Sequence, residues 1–200
     1  MKIEKKYIYD LVTRASHAGI ALSIFGLIAT SQLAKLYYEF GHLRLTFWLA
    51  HIFLGFLLVL FFTLRLVWMF VGPIESRLKS FIFIEQWKKI TSLQHLKNIE
   101  WGWGHHPLAS MAYLLVYLLI LISIGTGLLL TRIQFDIGPI DEKFYDELRY
   151  LIELLSIHDF VASSIIVFIV LHLYALTIHR IKDNVPTFTS ILNGYQYKKI

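Results

Sequence analysis

Four stretches of this chain are each long and apolar enough to cross a lipid bilayer, and nothing else constrains its fold as strongly. A spanning helix needs about 20 mostly apolar residues. Residues 16–38, 45–71, 107–130 and 157–178 meet that requirement. Lipid cannot satisfy exposed backbone N–H and C=O groups, so each stretch must close its own hydrogen bonds as a helix. The expectation is an all-α membrane protein: a four-transmembrane-helix bundle forming one domain over residues 1–200. Only 16% of the residues are charged, against about a quarter in a soluble domain.

The connections differ in character. A short turn around "YYEFGHLR" joins the first two spans. The second connection is longer, and within it Phe81, Ile84, Trp87 and Ile90 fall on one helical stripe while Lys88 and Lys89 face elsewhere. That pattern predicts an amphipathic helix lying on the membrane surface between spans two and three. The third connection is the acidic "DIGPIDEKFYDELRYLIE". The start, "MKIEKKYIYDLVTR", is basic and precedes an apolar run, as in a secretory signal. The length of that run and its His17 favour a retained first helix.

Orientation follows from the cations. Of the 19 Lys and Arg residues, all but Lys35, Arg44, Arg132, Lys143 and Arg149 belong to the side that carries both termini. The positive-inside rule then places both termini of a multi-pass membrane protein in the cytoplasm. The net charge of +5 reflects these segments and implies lipid as a partner, not nucleic acid. With no cysteine, disulfides, thiolate metal sites and covalently attached c-type haem are excluded.

Ionisable groups inside a membrane helix are costly and point to function. Four histidines lie in apolar context: His17, His51, His158 and His172. In "HDFVASSIIVFIVLH" the two histidines are 14 positions apart. On a helix that is about 21 Å along the axis and about 40° in direction, so they face one interior at two depths. His51 matches the outer depth of His158, and His17 the inner depth of His172. Facing pairs of neutral imidazoles suit axial ligation of haem iron, which gives two tiers and an electron path. Zinc or copper would want three or four donors at one depth. Two other readings use the same residues: a membrane anchor whose histidines only pack, and a small proton-linked transporter with a histidine relay, which lacks the expected repeats or broken helices. Gly55, one turn after His51, leaves room for a flat macrocycle. Gly19, Gly26, Gly125 and Gly127 read as ordinary helix contacts. Arg65, near the end of the second span, could pair with a haem propionate or snorkel to lipid headgroups.

The segments "RASHAG", "LAHIFLGFLLVLFFTLRLVWMFVGP", "GHHPLASMAYLLVYLLILISIGTGLLL", "IHDFVASSIIVFIVLH" and "HRIKDNVPTFTSILNG" together resemble the bacterial cytochrome b561 superfamily. Within it they look most like the b-type cytochrome subunit of membrane-bound nickel–iron hydrogenases. The resemblance implies two haem b groups with His17, His51, His158 and His172 as axial ligands. It also implies electron transfer between membrane quinone (menaquinone or ubiquinone) and a periplasmic redox protein, as a subunit of an oxidoreductase complex. It places quinone near the cytoplasmic haem, with His105 or His106 of "GHHPLA" as contacts. Pro107 suits the first position of a helix, so those histidines could equally cap it. One departure is Ala18, where the family often has an aromatic residue after the first ligand. His179 lies seven positions past His172, too near for a haem of its own, and reads as interfacial.

Overall fold

The computed structural model describes residues 3–78, 107–135, 137 and 148–199. The chain runs β1 (Ile3–Tyr7), α1 (Leu11–Leu36), α2 (Gly41–Val71), a 3-10 turn (Ile74–Ser76), α3 (Pro107–Phe135), α4 (Leu148–Asp183), α5 (Thr187–Asn193) and β2 (Tyr195–Lys199). All four long helices carry a stretch apolar enough to span a membrane, as the sequence predicts. The surface helix expected between spans two and three lies outside the described residues.

Each of the four is longer than its apolar run at one or both ends. α1 begins at Leu11 rather than at Ser16, and α4 takes in "LRYLIE", assigned above to the acidic connection. The reason is physical. Hydropathy measures only the thickness of the hydrocarbon layer, whereas helical hydrogen bonding continues until something stops it. At the start of α1 that signal is Asp10, whose Oδ1 accepts from the N–H groups of Val12 (2.9 Å) and Thr13 (3.1 Å). This is an N-cap. At the end of α4 it is Asn184, at φ 52°, the left-handed conformation that closes many helices, followed by Pro186.

The chain packs as two compact units, each discontinuous in sequence. The first comprises residues 1–15, 65–117 and 168–200. It holds a small antiparallel sheet in which Ile3 pairs with Lys199 and Tyr7 with Tyr195. The Ile8 and Tyr9 N–H groups donate to the Gly194 carbonyl at 2.9 and 3.0 Å. Gly194 sits at φ 85°, and a Cβ there would meet the Tyr9 carbonyl oxygen at 2.7 Å. Only glycine meets both demands. The pairing joins the two terminal segments of the chain within this unit.

The second unit comprises residues 16–64 and 118–167. Its core is apolar: Ile24, Leu58, Phe62, Ile120, Val161 and Ile165 are buried. Large side chains such as Leu22, Phe53 and Phe160 point outward, where lipid tails solvate them. Gly19 and Gly26 are the close contacts of this unit. A Cβ on Gly19 would collide with the Phe61 ring, and one on Gly26 would fall 2.8 Å from Leu54. Both confirm the helix-contact reading. Gly19→Ala is therefore expected to lower stability by roughly 1–3 kcal/mol, the usual cost of overpacking. Thermal unfolding in detergent measures it, and an unchanged midpoint would contradict the contact.

Candidate cofactor site

Two of the four membrane histidines come with partners that define their chemistry. Both lie in the second unit and within electrostatic reach of each other. On α2, His51 Nδ1 lies 3.0 Å from the Leu27 carbonyl oxygen and 3.3 Å from Thr30 Oγ1, both on α1. On α4, His158 Nδ1 lies 2.8 Å from Thr126 Oγ1 on α3. A carbonyl oxygen can only accept, so His51 carries its hydrogen on Nδ1. Thr126 directs its own hydroxyl hydrogen at the carbonyls of Ile122 (2.8 Å) and Ser123 (3.1 Å). It is therefore free to accept from His158. Both rings donate from Nδ1, and each keeps the Nε2 lone pair for a metal.

The two assemblies repeat each other. Thr30 bonds the carbonyls of Gly26 and Leu27 at 2.8 and 3.1 Å, in "GLIAT". Thr126 does the same three and four residues back in "ISIGT". Two surroundings complete the fit. A Cβ at Gly55 would meet nothing within 4 Å, and one at Gly127 would meet His158 Cε1 at 3.3 Å. Gly55 leaves open space on the face of His51, while Gly127 lets the His158 ring approach α3. Gly127, read from sequence as a plain helix contact, thus belongs to the site. These donors fit an iron porphyrin held through two imidazole Nε2 atoms. The threonines were missed in sequence because a membrane threonine commonly bonds its own helix backbone.

His172 lies in the first unit, flanked by Phe168 (ring centroids 5.8 Å apart, 7° between planes) and by Tyr113 (6.2 Å, edge-on). His17 falls in the second unit and is exposed. His179 is exposed near the end of α4. His105 and His106 lie outside the described residues.

Arg65 does not snorkel. It is 6% exposed, which corrects that alternative. Its Nε donates to the Tyr117 hydroxyl (2.9 Å) and its Nη1 to Thr13 Oγ1 (3.3 Å). Interior partners hold the guanidinium within the first unit, where snorkelling would carry it toward water. Thr13 continues the cluster, donating to Asp10 Oδ2 at 2.7 Å, and Ser76 donates to the same oxygen at 2.9 Å.

Burial would raise the Asp10 carboxyl. Hydrogen bonds from the Thr13 side chain and backbone and from Ser76 outweigh it and bring the pKa from 3.8 to about 2. Burial pushes the neighbouring Tyr9 phenol up, and the Arg65 charge partly offsets that rise. A carboxyl held below its unfolded value stabilises the fold above that value and loses the contribution as pH falls through the folded one. The thermal midpoint is thus expected to fall between pH 4 and pH 2, and more steeply in the native chain than in Asp10→Asn. Parallel slopes in pH-resolved melting would contradict the assignment.

A family model described as prokaryotic cytochrome b561 matches residues 8–194. No curated protein and no solved structure gives a match.

Proposed function

This chain belongs to the prokaryotic cytochrome b561 family of membrane haem-b electron carriers, and we propose that it holds two haem b groups and passes electrons between quinone and a periplasmic redox protein. The observation that supports the reading is the repeated Nδ1 donation of His51 and His158, which leaves each Nε2 lone pair available as a ligand. A haem ligated on both faces supplies one-electron transfer and has no open position for oxygen.

The chain's own groups do the rest. His51 and His158 hold the haem that the charge count puts toward the periplasm. His17 and His172 hold the second, on helix register: His172 is 14 residues beyond His158 on α4, and His17 opens the first span at the matching depth. Phe168 and Tyr113 flank the His172 ring. Arg65 places a fixed positive charge in the same unit, suited to a propionate carboxylate. His105 and His106 are the proposed quinone contacts, by resemblance. The partner is a hydrogenase-type subunit or a multihaem cytochrome or reductase, met at the outer face. Cytoplasmic termini follow from the excess of Lys and Arg on their side.

The test is a dithionite-reduced minus oxidised spectrum of the purified chain with haem extraction. Two b-type haems per chain, both low-spin, are expected. A colourless protein would sink the reading and favour a plain anchor. Oxidation of a quinol analogue by the loaded protein then tests the quinone step.

A further inference from the structure

Thr30 and Thr126 do a job that the family assignment does not require of them. A threonine in a membrane helix can satisfy its hydroxyl on its own backbone, and both do so. That bond accounts for the hydrogen but not for the remaining lone pairs. In each case the oxygen then meets a histidine of the next helix: Thr30 meets His51 at 3.3 Å and Thr126 meets His158 at 2.8 Å. The coincidence occurs twice, on different helix pairs, with the same carbonyl offsets. Thr126 is buried, so water does not compete for its contact with the ring.

We propose that Thr30 and Thr126 are positioning residues that fix the tautomer and ring orientation of His51 and His158 and thereby set the potential of the haem between them. The proposal rests on the haem-ligand reading above. Its physical basis is the outer shell of a metal ligand. An imidazole that donates its second N–H to an acceptor is a more basic ligand, and a more basic ligand favours ferric iron. Hydrogen bonding around the ligands is one of the levers by which a protein tunes haem. The threonine's share of the bonding differs between the two histidines. At His51 the Leu27 carbonyl is the nearer acceptor, at 3.0 Å against 3.3 Å for the hydroxyl. At His158 the hydroxyl is at 2.8 Å. The two threonines therefore act on one haem with unequal strength, Thr126 more.

Thr126→Val keeps the shape and removes the acceptor, so redox titration of the two-haem protein is the experiment. One potential is expected to move positive and the other to stay. The low-spin electron paramagnetic resonance signal of the shifted haem is expected to move with it. Thr30→Val shifts the same haem by less, and Thr126→Ser restores the native value. Loss of one haem in Thr126→Val with recovery in Thr126→Ser supports the same conclusion, because the two variants differ in the hydroxyl. Unmoved potentials and signals in Thr126→Val with both haems bound would overturn the proposal, as would a Thr126→Ser protein as shifted as the valine variant. Haem content in His51→Ala and His158→Ala separates this from failure of the premise. If those variants keep both haems low-spin, the ligand reading itself falls.

Discussion

His158→Ala is expected to remove one low-spin haem of the two and leave the other untouched. Alanine offers no donor, and the histidine it replaces is held by a 2.8 Å bond from Nδ1 that no neighbouring side chain can reproduce. His51 alone gives at most a five-coordinate iron, which is high-spin or lost during purification. His172→Ala is expected to do the same to the second haem, and the double variant to carry no low-spin haem at all. Haem per chain from alkaline pyridine spectra, read beside the resonance signal of each ferric centre, measures both. The pairing predicts a further equality: His51→Ala and His158→Ala must erase the same signal. Two low-spin haems surviving in either variant would remove that histidine from the ligand set.

Arg65→Leu should produce the largest loss of stability in the first unit. The guanidinium is buried and donates to both Tyr117 and Thr13. A hydrogen bond to a charged group contributes roughly 1.5–3 kcal/mol. Leucine forfeits two of them, while burying leucine avoids the cost of desolvating a cation. The balance is a loss on the order of 3 kcal/mol, which corresponds to about 6–12 °C for a domain of this size. Arg65→Lys keeps the charge but presents one nitrogen where two contacts are needed, and should recover only part of the loss. On the proposed assignment of a second haem to His172, its potential should fall in Arg65→Leu, since a positive charge in the same unit favours the reduced state. Lysine should restore that potential better than it restores stability. A leucine variant as stable as the native chain would show that the cluster contributes nothing net.

The four spans were legible in sequence because the bilayer imposes a length and a polarity that no tertiary contact can waive. The histidines stood out for a related reason: an ionisable ring inside an apolar run is costly. Helix ends were less so. The apolar run of α4 begins near Ile157, yet the helix begins at Leu148, because its first turns lie beyond the hydrocarbon and hydropathy is blind there. The terminal sheet escaped notice too. Its strands, "IEKKY" and "YQYKK", are short and polar, and each exists only because the other end of the chain is beside it.

Sequence by itself determined the four stretches able to cross a membrane and the histidines that lie in apolar context. Tertiary structure alone decided which groups complete the histidines. Thr30 reaches His51 across 21 positions and Thr126 reaches His158 across 32, while Thr13 and Ser76 meet across 63. A hydroxyl has no periodicity to betray its partner. Its role is fixed by the helix that happens to face it, and that facing is a property of packing.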